Sequence, residues 1–208
     1  MPTRAERRQR LFEVASSQGG YFTAAQARAF GYDTSTITHH ARTGRFERVS
    51  RGFYRLAEFP ALPHEDVIAA WVKAGQERAV VSHDAALALY ELAPSRSREI
   101  HLTVPWEQRP RHRPALAGVR IHTTKKPLRR GEVVQRFGVR VTAPARTVAD
   151  VTEVGADPSV VIEAVARALD TGLVTADELR KAVGDRSERV RNLIERAIAE
   201  AGSHAPVR

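Results

Sequence analysis

The spacing of apolar and polar residues predicts three helices at the start of the chain. Residues 4–18 place their apolar side chains on one side of a helix, which Gly19-Gly20 ends. Thr23-Ala-Ala-Gln26 is a capping-box pattern and predicts a second helix over residues 24–30. A third helix is predicted to begin at Asp33/Thr34, after a glycine turn, and to end near Gly44.

The residues after the third helix predict a basic hairpin. Its apolar positions are Phe46, Val49, Phe53 and Leu56, its turn is Ser50-Arg51-Gly52, and the arginines predicted to point outward are Arg48, Arg51 and Arg55. Three helices followed by a hairpin are typical of a winged helix-turn-helix, which we predict over residues 1–56.

The rest of the chain alternates between strand-like and helix-like patterns. Two prolines in AEFPALP predict a linker over residues 57–63. Helices are predicted at 64–76, 83–91, from Pro144, at 158–169, after Thr175 and at 186–201, with strands at 79–81, 100–104, 119–121 and 139–141. The fold class is therefore predicted to be α+β. A mixed α/β domain with a helical C-terminal end follows over residues 64–202, and residues 203–208 form a frayed tail.

Composition favours a polyanionic partner. The 208 residues carry a net charge of +9. Basic residues are concentrated in residues 1–60 (10 against 5 acidic) and 96–146 (13 against 3). The chain contains no cysteine, no apolar run long enough for a membrane span and no secretory signal pattern, so we expect a cytoplasmic protein.

The third helix and the hairpin supply the predicted DNA contacts. Ile37 and Ala41 lie four residues apart and are predicted to face the core. Small hydroxyl side chains suit a close approach to bases, and arginines suit phosphates or guanine. The predicted DNA-contacting residues are Ser35, Thr36, His39, His40, Arg42, Thr43, Arg45, Arg48 and Arg51.

A second basic surface is predicted in the later domain. It comprises Arg109, Arg111, Arg113, Arg120, Lys125, Lys126, Arg129 and Arg130. Its sequence is compatible with further DNA contact, with docking to an acidic toxin surface or shielding of a toxin, and with charge that serves only solubility.

The eight histidines do not form a recognisable catalytic or metal-binding motif. His39 and His40 are adjacent and so diverge around their helix, and His83-Asp84 is explained by a helix start. His101 and His122 fall out of phase with the apolar positions of their strands and are predicted to face solvent. We therefore predict no catalytic residue, no metal and no cofactor.

Five segments, in order, carry a resemblance to a known family: GRFERVSRGFYRL, VVSHDAALALYEL, REIHLTVP, AGVRIHTT and GVRVTAPARTVADV. Over about residues 5–155 the chain resembles AbiEi-like antitoxins of type IV abortive-infection toxin–antitoxin systems. The resemblance implies a winged helix-turn-helix that binds repeats in its own promoter, and a later α/β domain used for autoregulation and antitoxicity. It implies a nucleotidyltransferase-like toxin as partner. Some relatives continue into a nuclease-like extension, whose Glu-x-Lys signature is absent here.

The sequence thus predicts an antitoxin that binds double-stranded operator DNA and represses its own operon. The sequence does not determine whether the protein dimerises on DNA or whether it contacts the toxin directly. Two alternatives are a plain transcriptional regulator with a ligand-sensing C-terminal domain and an enzyme that modifies the toxin covalently. An adjacent toxin-like reading frame would favour the antitoxin over the plain regulator, and intact-mass analysis of the co-expressed toxin would test for the enzyme.

Overall fold

The computed structural model describes residues 3–94, 97–109 and 118–203, which form two compact units. The first unit extends to Glu77 and takes in residues 137–139, and the second comprises the other described residues from Arg78 onward. Helices and strands occur in both units, which confirms the predicted α+β class.

The first unit has the element order of a winged helix-turn-helix. Its elements are α1 (Arg4–Ser16), β1 (Tyr21–Thr23), α2 (Ala24–Ala29), α3 (Thr34–Arg42), β2 (Phe46–Ser50), β3 (Phe53–Leu56) and α4 (Glu65–Ala74). The strands form an antiparallel sheet in the order β1-β3-β2. Strand β1 was not predicted, because three residues are too few to show an alternating pattern.

Polar caps and an aromatic core hold these elements together. The predicted capping box forms: the Thr23 N–H donates to Gln26 Oε1 at 2.8 Å, and Thr23 Oγ1 accepts from the Gln26 N–H. Behind it, Phe22 is fully buried and lies edge-on to Phe46, with ring centroids 4.9 Å apart. Ile37 of α3 belongs to the same core, so packing of Ile37 determines which side of α3 faces outward.

The segment predicted as a linker is packed against the first unit. A Cβ on Gly20 would lie 2.7 Å from Phe59, and one on Gly19 would lie 3.4 Å from Leu62. The Arg55 guanidinium also donates to the carbonyl oxygens of Phe59 and Pro60. The compact units therefore divide at residues 77 and 78, after α4, and not at 57–63.

The second unit is built on a five-stranded sheet. Its strands are β4 (Val80–Val81), β5 (Ile100–Pro105), β6 (Val119–Thr124), β7 (Val133–Arg136) and β8 (Val139–Thr142), in the order β6-β5-β4-β8-β7. Strand β4 pairs antiparallel with β5 and parallel with β8, and β5 pairs parallel with β6. Strand β7 was not predicted, because its exposed Val134 interrupts any apolar face.

Five helices complete the described part of this unit. They are α5 (His83–Leu89), α6 (Pro144–Glu153), α7 (Pro158–Asp170), α8 (Ala176–Val183) and α9 (Glu188–Ser203), and a 3-10 turn spans Trp106–Gln108. Helix α9 packs against α7, and α6 packs against α8. Within the described part of the chain, no helix has the length and apolar character that a membrane crossing needs.

Candidate nucleic-acid interface

Asp33 organises the start of α3. Its carboxylate accepts the Thr36 N–H at 2.6 Å and the Ser35 hydroxyl at 2.8 Å. These bonds, with that of the Thr36 amide the strongest, lower the pKa of Asp33 to about 2. The Ser35 side chain is therefore held in place in the first turn of α3, with its hydroxyl oxygen still able to accept a hydrogen bond.

The outward side of α3, here called the α3 face, presents Ser35, Thr36, His39, Arg42 and Thr43. Thr36 is half-buried and the other four side chains are exposed. The Thr43 hydroxyl donates to the backbone carbonyl of His39, whereas Ile37 lies in the core. The α3 face is thus a polar surface with one arginine at its C-terminal end.

His40 is not part of this face, and the prediction that placed it there is wrong. The imidazole is only 9% exposed and lies edge-on to Phe46, with ring centroids 5.0 Å apart. Burial, followed by the nearby positive charge of Arg45, lowers the pKa of His40 below 6.5. The apolar side of α3 is wide enough to include this position, which lies three residues after Ile37.

The hairpin β2–β3 forms the wing. Its pairing register shifts between Arg48 and Ser50, and this irregularity leaves Val49 49% exposed instead of in the predicted apolar face. Arg48 lies on β2 and Arg51 in the turn, and both are exposed. Neither makes an ion pair with any described residue. The wing therefore carries two free positive charges.

Arg55 does not point outward as predicted. Its side chain is buried, and its guanidinium pairs with Glu65 at 2.9 Å and Glu47 at 3.6 Å. The reason is the position of β3 in the middle of the sheet, where all four residues are buried and both faces of the strand are covered. Arg55 is thus a structural residue of the first unit.

Helix α1 adds basic residues to the interface that are not among the predicted DNA-contacting residues. Arg4, Arg7 and Arg8 line a cleft of about 450 Å³ together with Ser35 and His39. Arg7 donates to the Gly31 carbonyl and Arg8 pairs with Glu58, whereas Arg4 has no carboxylate partner among the described residues. The high density of arginines at positions 4–10 is the sequence feature that could have indicated a role of α1 in the interface.

The second basic surface is divided between paired and unpaired side chains. Arg120 pairs with Glu99 at 2.9 Å, and Lys126 and Arg129 both approach Asp185, at 3.8 and 3.4 Å. Arg109 stacks on Trp106, with its guanidinium carbon 3.8 Å from the ring centroid, and the Lys125 ammonium lies 5.8 Å from the same ring. Arg130 is exposed, and the predicted residues Arg111 and Arg113 lie outside the described residues.

A cleft of about 540 Å³ in the second unit contains polar residues that the sequence did not single out. Arg146 bridges Asp150 and Glu132 at 2.9 and 3.2 Å, and Arg186 reaches the same Asp150 at 2.6 Å. Asp150 is buried, and its charge is therefore balanced by two arginines.

Three histidines meet at the edge of this cleft. His83 and His101 are buried and His122 is half-buried, so the prediction that His101 and His122 face solvent is wrong. The alternation rule failed because four consecutive residues of β5 are buried, which means that both faces of this strand are covered. Burial lowers the pKa of all three, to about 2 for His83 and about 4 for His122.

The geometry of the first unit agrees with the comparison to known families. Residues 9–57, from α1 to the end of the wing, match a family model described as "Transcriptional regulator, AbiEi antitoxin". The resemblance to AbiEi-like antitoxins is therefore confirmed over these residues.

A solved structure extends the comparison to most of the chain at the level of fold. The chain is similar to the RV2827C protein from Mycobacterium tuberculosis, with a TM-score of 0.62 and 12% sequence identity. The similarity covers 94% of this chain and 77% of the mycobacterial chain. No curated protein matches the sequence.

Proposed function

We propose that the first unit binds double-stranded DNA, with the α3 face in the major groove and the wing against the phosphate backbone. The observation that carries this proposal is a set of four arginines at the end of α3 and along the wing. Arg42, Arg45, Arg48 and Arg51 are all exposed, and none pairs with a carboxylate among the described residues. Unpaired, exposed arginines at this spacing are available for phosphate contacts.

The same geometry divides the roles of the side chains. Ser35, Thr36 and His39 lie in the first turns of α3, which is the part of a recognition helix that reaches base edges. They would read sequence, while the arginines and Arg4 of α1 would set position and affinity.

We further propose that the protein is the antitoxin of a bacterial toxin–antitoxin pair, represses its own operon and counteracts a nucleotidyltransferase-like toxin. The family match over residues 9–57 supports regulation of transcription. The second unit would carry antitoxicity, because it lies outside the matched residues and has its own basic surface and cleft.

A salt titration of DNA binding tests the first proposal. Each neutralised phosphate contact contributes about 0.9 to the slope of log affinity against log salt concentration. Single alanine variants of Arg42, Arg45, Arg48 and Arg51 should therefore flatten the slope by up to that amount, and Arg51→Ala should weaken binding to all sequences alike.

The matched control is Arg196→Ala, which removes an exposed arginine of the second unit that is paired with Glu200. It should leave the slope as in the wild type. Wild-type slopes for all four variants of the first unit would contradict this interface.

A second candidate function is a transcriptional regulator whose second unit senses a small ligand, and the 540 Å³ cleft favours it. The gene next to this one discriminates between the two. A toxin-like reading frame whose lethality this protein relieves from an unrelated promoter supports the antitoxin, and its absence supports the ligand-sensing regulator.

A further inference from the structure

Three imidazoles from separate parts of the second unit converge on one point. His101 lies on β5 and His122 on β6, and the register pairs His122 with Thr103. His101 is two residues from Thr103, so its side chain shares a sheet face with that of His122. His83 reaches the same face from the start of α5, where the preceding residue, Ser82, donates its N–H to the His101 carbonyl at 3.0 Å.

The distances suit a shared cation. One nitrogen from each of the three rings lies within 4.8 Å of the other two. His101 Nδ1 and His122 Nε2 are 3.3 Å apart. Two imidazole nitrogens bound to one tetrahedral Zn²⁺ at about 2.0–2.1 Å would lie about 3.3–3.4 Å from each other.

Hydrogen bonding leaves ring nitrogens available. His83 Nδ1 is 2.9 Å from Ser82 Oγ, and Ser82 Oγ also accepts the Thr103 hydroxyl at 2.8 Å. In the tautomer that donates from Nδ1 to Ser82, the lone pair of His83 lies on Nε2, which is how outer hydrogen bonds orient metal-binding histidines. His101 would bind through Nδ1, the atom close to His122 Nε2, and its proton would then lie on Nε2, which is buried and has no hydrogen-bond partner among the described residues.

We propose that His83, His101 and His122 bind one Zn²⁺ ion, with a fourth coordination position open to the cleft. His83 and His122 line this cleft, and three protein ligands with one open position define zinc sites that take water or an exogenous ligand. The rings of His83 and His122 are stacked with their centroids 3.6 Å apart, so coordination of one ion by both requires the His83 ring to tilt out of this arrangement.

Neighbouring charges are compatible with a cation at this point. The arginines around the cluster are Arg120, Arg146 and Arg186, and each forms an ion pair with Glu99 or Asp150. Asp84, whose charge acts on His101 and His122, has no ion-pair partner among the described residues. The open position would take a water molecule or a small anion.

Zinc binding by the full chain tests the proposal. The protein is stripped with a chelator, and Zn²⁺ is titrated in competition with a chromophoric chelator. We expect one equivalent per chain, a rise in Tm with Zn²⁺, and visible d–d absorption when Co²⁺ replaces Zn²⁺. His122→Gln, at a half-buried position on the edge strand, should weaken binding at least about tenfold.

The control is His64→Asn, which removes an exposed histidine of the first unit at a left-handed backbone position that asparagine tolerates. It should keep wild-type zinc affinity. A wild type that binds no zinc overturns the proposal irrespective of how the variants fold. Equal affinities of the wild type and a folded His122→Gln also overturn it. The assay contains neither DNA nor toxin, so its outcome is separate from that of the proposed function.

Discussion

Residues of the same type take opposite roles in this protein. His39 is exposed on α3 and His40 is buried next to it, while Arg51 is free at the wing turn and Arg55 is buried between two glutamates. The residue pattern predicted His39 and Arg51 as exposed side chains. It could not predict Arg55, because burial of that residue depends on the segment and helix that cover the far side of β3.

The first prediction at this scale concerns acid stability and His40. Because burial lowers the pKa of His40 in the folded protein, the unfolded chain binds a proton more readily than the folded chain does. The contribution of this neutral imidazole to stability is therefore present above about pH 6.5 and declines as the pH falls below that value. Tyr32, His39, Arg4 and Arg45 are the titratable or charged groups around it.

The measurement is the free energy of unfolding of the wild type and of His40→Gln between pH 5 and pH 8. The difference between the two proteins should shrink as the pH falls, because only the wild type contains this ring, and its protonation favours the unfolded state. Thr38→Ser, at an exposed position of the same helix, should show the pH dependence of the wild type. A pH-independent difference for His40→Gln would contradict the argument.

At the scale of elements, helices were predicted better than short strands. The capping boxes at Thr23 and Thr175 both form, and α2 and α8 begin where these patterns predict. A capping box is a local interaction, so its signal lies within four residues. Strands β1 and β7 derive their stability from neighbours that are distant in sequence, and their few residues carry little pattern of their own.

The contact between residues 57–63 and the first unit can be tested with two glycines. Gly20 and Gly44 both have positive φ, at 86° and 74°. Alanine at either position pays about 1–2 kcal/mol for the left-handed conformation. A Cβ at Gly20 would also lie 2.7 Å from Cβ and Cγ of Phe59, whereas a Cβ at Gly44 would meet nothing within 4 Å.

Gly20→Ala should therefore lower the free energy of unfolding by clearly more than Gly44→Ala does, as measured by urea denaturation. The two variants share the backbone cost, so the difference between them reports the Phe59 contact. Equal losses would indicate that Phe59 does not lie against Gly20 in solution.

At the scale of the whole molecule, the order of a winged helix-turn-helix followed by a mixed sheet was predictable, and the division between compact units was not. Prolines in residues 57–63 indicated an end of regular structure, and this segment indeed lies between the end of β3 and the start of α4. They carried no information on whether the segment packs. The histidine cluster could not be predicted either, since its members are 18 and 21 residues apart. They meet through the pairing of β5 with β6 and the contact of the residue before α5 with β5.

This division leads to a prediction for fragments. A fragment of residues 1–77 retains Glu65 and α4 and should fold and bind operator DNA more weakly than the full chain. A fragment of residues 1–60 keeps Glu47 but lacks Glu65, the closer of the two carboxylates paired with Arg55, and should be less stable because the buried guanidinium is then less well compensated. Circular dichroism with thermal unfolding, and DNA titration at fixed salt, compare the two.

The same fragments locate antitoxicity. With the toxin expressed from a promoter independent of the operator, residues 1–77 should not protect cells, and residues 78–208 should protect them without repressing the operon. Protection by residues 1–77 alone would assign the encounter with the toxin, or with its target, to the DNA-binding unit.

The buried Arg55 has a further consequence for limited proteolysis. Trypsin cleaves after arginines whose backbone can enter its active site. Such sites are offered within ten residues by the exposed Arg42, Arg45, Arg48 and Arg51. Arg55 lies in the central strand with its guanidinium held by two backbone carbonyls and two glutamates, so cleavage after it requires unfolding of the sheet. A nick in the wing would therefore leave α4 and residues 57–63 attached to β3. Protection of the four outer sites by bound DNA would map the interface without any substitution.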